Sequence, residues 1–270
     1  IQDKVAEIQG LISALIHQMN GRSLEPREVA VLEDCLLQEY LSRGITSDPE
    51  SLYENGIKKQ MPTITSLHER LKPRSESLAD ILTPMLRNGS LGMFDGQTTL
   101  KLSDAPMVCF SMKALNVEFT KFFATYVVLG WLWQKFAQRG GKKYKKCVLV
   151  DEAWMFMRYS ESANILETIA RRGRKHGCGL LILTQRFEEF SQSHAGRSVI
   201  ESCATVMVLK QEEHAAGAAV EYFKLSGGCK DLLVQASPGE GILRLSGAVT
   251  GIEVIPAAFE WKYVETKMIG

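Results

Sequence analysis

The stretch that most constrains what this chain can fold into is Lys146-Cys147-Val148-Leu149-Val150-Asp151-Glu152-Ala153-Trp154. A short apolar run with β-branched valines, closed by two adjacent carboxylates, reads as a buried strand with acids at its carboxyl end. In open α/β sheets, ligands bind beyond that end of the strands. Two acids there are costly to desolvate unless a metal, a cation or a proton uses them. Phosphate chemistry is one such use. The first acid, Asp151, would hold Mg2+ directly or through its water, and the second, Glu152, would orient and deprotonate an attacking water. The competing reading is a strand that ends in a solvated acidic turn, and the neighbouring segments bear on the choice.

Downstream, Arg171-Arg172-Gly173-Arg174-Lys175-His176-Gly177 closes a helical stretch that begins near Ser160. Gly179-Leu180-Leu181-Ile182-Leu183-Thr184-Gln185 then reads as a second buried strand tipped by an amide. A right-handed crossover brings two such strand tips to the same edge of one parallel sheet. Gln185 could there sense a γ-phosphate or hold the lytic water, since an amide carries both donors and an acceptor; capping loose backbone groups is its plainer role. Arg171, Arg174 and Lys175 lie three and four apart, on one face of a helix end. The helix dipole alone favours cations there. Their density also fits an arginine finger that reaches the site of an adjacent subunit and neutralises transition-state charge.

The sequence contains no G-x-x-x-x-G-K-[ST] phosphate loop; Gly140-Gly141-Lys142-Lys143 lacks both its spacing and its hydroxyl. With Ile1 first, the sequence is therefore expected to be a fragment of a longer protein, its phosphate cradle preceding it or coming from elsewhere. Its 270 residues suffice for one large or two modest domains. A net charge of +1 gives no global drive toward nucleic acid or membrane. The six cysteines are scattered with no C-x-x-C pair, as small buried residues in a reducing compartment would be.

Residues 1–103 read as an all-α subdomain and 104–270 as an α/β core. Val5, Ile8, Leu11, Ile12, Leu15 and Ile16 recur at helical spacing, and Glu25-Pro26 opens a second helix that ends near Gly44. Thr63–Leu71 and Ser77–Leu86 supply two more. Pro106–Met112 is the first expected strand, followed by a long helix over Glu118–Arg139. The uncharged part of that helix, Phe122 to Gln134, falls well short of the ~20 residues that span a bilayer. A helix apolar on nearly all sides is expected between a sheet and another layer. Arg139 to Lys146 holds five cations; a solvated loop is the simple reading, contact with nucleic-acid phosphates the sharper one. Strands are further expected over Ala204–Lys210 and as a closing pair, Gly239–Leu245 and Gly251–Pro256, around a turn at Gly247–Thr250.

Taken in order, Val148–Trp154, then Arg171-x-x-Arg174-Lys175-x-Gly177, then Leu183-Thr184-Gln185, then Gly239-Glu240-Gly241 resemble the C-terminal motor domain of the conjugative type IV secretion ATPases of the VirB/TraC type. These stand within the broader HerA/FtsK group of hexameric RecA-like ATPases. The resemblance covers roughly residues 90–265, and the helical first part is similar in character to the all-α subdomain of such proteins. It implies a RecA-like P-loop NTPase core with a mostly parallel sheet. It also implies Mg2+-dependent ATP hydrolysis that powers pilus assembly and the transfer of DNA or protein. Asp151 and Glu152 match its Walker B pair, Arg171 and Arg174 its arginine motif, with Lys175 beside them toward the nucleotide, and Gln185 its sensor. It implies self-association into hexamers or smaller oligomers, other secretion subunits as partners, and a place on the cytoplasmic side of the bacterial inner membrane. The strands near Gly247–Pro256 stand where such folds meet the adenine. Two departures are the missing phosphate loop and Arg186, which follows Gln185 where an acidic or small polar residue is usual. A HerA/FtsK-like ATPase that translocates or binds DNA is the alternative, and a non-catalytic subunit with a decayed site is a third.

Overall fold

A computed structural model describes residues 1–99, 102, 105–137 and 144–264. They pack as two compact units, Ile1–Gly130 and Trp131–Gly270.

The first unit is helical, as the 3.6-residue periodicity predicts. Helix α1 (Gln2–Asn20) stops at Gly21, whose left-handed backbone (φ 65°) lets its N–H reach the His17 carbonyl. Helix α2 (Pro26–Leu41) starts on a proline, with the Glu28 carboxylate accepting the Glu25 N–H at 3.0 Å. A small antiparallel hairpin, β1 (Tyr53–Glu54) and β2 (Ile57–Lys58), turns through Asn55 and Gly56, both at positive φ. So short a ladder leaves no periodic signal in the sequence. Helix α3 (Ile64–Leu71) is capped by Thr63, which accepts the Ser66 N–H at 3.2 Å, and α4 (Glu76–Leu82) follows. Ile12, Leu15, Leu32, Leu36, Leu67 and Leu82 meet in one buried core. Helix α5 (Glu118–Trp131) adds Phe123, whose ring stands edge-on to Phe94 at 4.5 Å.

Among the described residues, one buried carboxylate sits in this unit. Glu39 is 3% exposed and is held by Arg43 at 2.6 Å and by Arg70 at 2.5 Å. Burial alone pushes its carboxyl up, but hydrogen bonds from Ser66, Arg70 and Arg43 outweigh that and hold it below the ordinary range.

Pro106–Met112 corrects the expectation: it forms no strand. A strand exists only where its N–H and C=O groups find a ladder partner, and none pairs with this stretch among the described residues. Met107 is left 84% exposed. The first strand after this stretch among the described residues begins instead at Lys146.

In the second unit, Leu132–Ala137 forms a π-helical stretch. Residues 138–143, with Lys142 and Lys143 of the cationic loop, lie outside the described residues. Strand β3 (Lys146–Val150), helix α6 (Ser160–Arg172) and strand β4 (Cys178–Ile182) form the crossover, and β3 pairs with β4 in parallel from Lys146↔Cys178 to Val150↔Ile182. Helices α7 (Phe187–Gln192) and α8 (His194–Ser202) lead to β5 (Thr205–Leu209). Helices α9 (Glu213–Phe223) and α10 (Gly228–Gln235) precede the hairpin β6 (Glu240–Leu245) and β7 (Ala248–Glu253), and α11 (Trp261–Val264) follows.

Three further corrections concern these strands. Among the described residues the parallel ladder is confined to β3–β4, while β5–β6–β7 runs antiparallel as a separate sheet. The closing turn is tighter than predicted. Ser246 (φ 48°) and Gly247 (φ 93°) form a two-residue connection, and both backbone angles match the right-handed twist of the flanking strands. Nor are β3 and β4 buried on both faces. Val148 and Val150 pack with Leu166, Phe190 and Val199, while Leu149 (60% exposed) and Leu181 (50%) point away from that core. No helix among the described residues is long and apolar enough to cross a membrane.

Candidate active site

The parallel register decides which side chains meet. Because Val150 stands beside Ile182, the two strands end level. The ladder runs one step further: the Leu183 N–H donates to the Val150 carbonyl at 2.9 Å, and the Ala153 N–H to the Leu183 carbonyl at 3.0 Å. Asp151 and Glu152 are thereby held beside Thr184 and Gln185.

At Glu152 the backbone turns left-handed (φ 49°, ψ 43°) and enters the 3-10 turn Ala153–Arg158. A non-glycine residue there costs about 1–2 kcal/mol, so surrounding contacts must hold it. They do so at the carboxylate. Gln185 Nε2 donates to Glu152 Oε1 at 2.6 Å, and Trp154 Nε1 donates to Oε2 at 2.5 Å. Asp151 is exposed, and its Oδ1 accepts the Glu152 N–H at 2.9 Å. The guanidiniums of Arg186 and Arg158 lie over the Trp154 ring at 4.2 and 4.7 Å from its centroid. Arg186 is itself tied to Glu189 at 2.6 Å.

No group of three or more His, Cys, Asp or Glu able to enclose a metal occurs among the described residues. A lone exposed carboxylate at a strand tip is the donor that suits Mg2+, which keeps several waters and takes its other oxygens from phosphates. Asp151 fits that description.

The cations are elsewhere. Helix α6 ends at Arg172, and Gly173–His176 forms a 3-10 turn before β4 begins at Cys178. Gly173 is buried, and a Cβ there would stand 2.8 Å from the Cys178 carbonyl oxygen. Cys178 pairs with Lys146, so this turn lies at the amino ends of the strands, whereas Glu152 and Gln185 lie beyond the carboxyl ends. Five residues at about 3.3 Å each separate the two edges by roughly 16 Å. Arg171, Arg174 and Lys175 are therefore not brought to Glu152 within this chain. Arg171 donates to Ser198 Oγ at 2.7 Å and pairs with Glu167 at 2.9 Å. Arg174 and Lys175 are exposed, with no ion pair among the described residues. His176 stands edge-on to Trp133 at 5.6 Å.

Trp154, Arg186 and Ser198 carry contacts that the sequence did not reveal. The signal for the first two was present in part: Trp154 follows Glu152 by two positions, and Arg186 broke the resemblance just after Gln185.

A family model described as AAA-like domain matches residues 104–254. Among solved structures, the chain is similar to VirB4 of Thermoanaerobacter pseudethanolicus, with a TM-score of 0.80 at 23% identity, over 96% of this chain and 70% of that one. At that identity the likeness shows the fold. Comparison with curated proteins finds no match.

Proposed function

From the premise that the chain belongs to the AAA-like domain family, we propose that it is the ATP-hydrolysing motor part of a bacterial type IV secretion or conjugation machine. The observation that carries this is the 2.6 Å contact between Gln185 and Glu152, beside Asp151, at the carboxyl ends of two parallel strands. A base and a polar sensor there flank the place where a nucleotide's terminal phosphate lands in such sheets.

In this reading Glu152 takes the proton of the attacking water and Gln185 senses the γ-phosphate and helps to hold that water. Asp151 would hold Mg2+, and the ion would supply neutralisation of phosphate charge. Lys175, beside the arginines at the amino ends of the strands, reaches the nucleotide of a neighbouring copy. These 270 residues contain no G-x-x-x-x-G-K-[ST] loop. The core is RecA-like and runs over 104–270, with 1–103 as an all-α accessory.

Arg171 and Arg174 act on a neighbouring copy in a hexamer or smaller ring. Their place at the amino ends of the strands supports action in trans, because it leaves them far from their own Glu152. The motor works on the cytoplasmic side of the inner membrane with other secretion subunits, powering pilus assembly and substrate transfer.

The test is Glu152→Gln in the full-length protein. ATP binding should persist while turnover falls by at least about 100-fold, the scale of a general base. Hydrolysis at the parental rate would remove Glu152 as the base.

A further inference from the structure

Glu152 is gripped at both oxygens, and only one grip belongs to the sensor. We infer that Trp154 is a positioning residue for Glu152: its indole N–H fixes the second carboxylate oxygen so that the base faces its water in one orientation. The inference rests on Glu152 acting as the base, as proposed above.

Three observations carry it. First, Trp154 Nε1 lies 2.5 Å from Glu152 Oε2 while Gln185 holds Oε1, so donors on both oxygens stop the carboxylate from rotating about its last bond. An indole N–H can only donate. It therefore cannot take the proton Glu152 collects, and it leaves the basic lone pairs to the water. Second, the left-handed backbone at Glu152 is what folds the Ala153–Arg158 turn back so that a side chain two positions on can reach it. A strained conformation kept by surrounding contacts is characteristic of working sites. Third, the ring is itself held: Arg186 lies over it at 4.2 Å and is anchored by Glu189 on α7. Gln185 and Arg186, consecutive in the chain, thus act on the two oxygens of one carboxylate, the first directly and the second through Trp154. This gives Arg186, out of place by resemblance, a task.

Two replacements of Trp154 in the full-length protein separate the N–H from the ring. Trp154→Phe keeps an aromatic face for Arg186 and removes the donor. Trp154→His places its Nε2 where the indole nitrogen stood and removes the six-membered ring. Steady-state ATP hydrolysis, affinity for a fluorescent ATP analogue and thermal unfolding are measured for both beside Glu152→Gln. A misplaced base costs up to about 100-fold. Trp154→Phe should therefore lose at least tenfold in kcat with KM and analogue affinity within about twofold of the parent, and Trp154→His should recover part of that loss. A Trp154→Phe enzyme within tenfold of the parent, or a His variant no better than Phe, overturns the inference. If Trp154→Phe does not fold, Trp154→His decides alone: turnover within tenfold of the parent supports the N–H, and a deeper loss refutes it. A fully active Glu152→Gln would sink both this inference and the assignment of the base; an inactive one beside a normal Trp154→Phe would sink this inference only.

Discussion

Gln185 Nε2 lies 2.6 Å from Glu152 Oε1, although the two residues are 33 positions apart in the chain. The helix between them, α6, returns the chain so that β4 lies parallel to β3, and the ladder continues through Leu183 and Ala153 to bring both side chains off the same edge. An amide that donates to a carboxylate through its nitrogen keeps its oxygen free to accept from a water or from a neighbouring donor.

Gln185→Ala should therefore lower kcat by about 10- to 100-fold, the range for a group that positions rather than reacts, with little change in KM. Steady-state hydrolysis in the full-length protein measures it. A change in KM alone would assign Gln185 to ground-state binding.

Arg174 stands at the opposite edge of the sheet, exposed and without an ion pair among the described residues. Arg174→Ala should cost about 10³-fold in turnover if it stabilises transition-state charge on a neighbour's nucleotide. Mixing this variant with Glu152→Gln subunits should restore hydrolysis at those interfaces that combine an intact Glu152 with an intact Arg174. Absence of recovery at every mixing ratio counts against action in trans. Arg171, bonded to the buried Ser198, should in addition lose about 1 kcal/mol of stability on replacement by Ala, a loss visible in denaturant unfolding that Arg174→Ala should not share.

The buried Glu39 makes the helical unit sensitive to acid. Its carboxyl is held below the ordinary value near 4.3. A carboxyl lowered on folding contributes stability that is complete above its unfolded value and is lost as pH falls through its folded one. The loss should begin below about pH 4. Glu39→Gln should flatten this dependence and cost about 2 kcal/mol at pH 7, moderated because Arg43 and Arg70 are partly exposed and can hydrate. Chemical denaturation of both forms across pH 3 to 7 checks it; an unchanged slope would refute the assignment.

Gly173 is needed for space, not for an unusual backbone angle. A Cβ there would meet the Cys178 carbonyl at 2.8 Å, so Gly173→Ala should destabilise by about 1–3 kcal/mol through overpacking and shift the turn that presents Arg174. Thermal unfolding measures the first effect; a midpoint equal to the parent's would show that the backbone moves aside freely.

Local chemistry was legible wherever one stretch of chain suffices. The helices α2 and α3 announce themselves through Glu25-Pro26 and Thr63, because caps and periodicity act within a few residues. The crossover was legible through Val148–Glu152 and Leu180–Gln185, since apolar runs ending in polar tips are a local pattern. Pro106–Met112 misled for the complementary reason. Its composition suits a strand, but a strand also needs a partner, which composition does not contain.

By itself, the sequence determined which residues could do the chemistry: two acids at one strand tip, an amide at another, and cations before the second strand. Only the tertiary structure decided how they are grouped. Parallel register and one crossover place Glu152 with Gln185 and leave Arg174 at the far edge, and the left-handed turn at Glu152 brings in Trp154. The physical reason is that a residue's chemistry is carried by its own side chain. Its neighbours are set by strand pairing and backbone reversal, which join positions far apart along the chain.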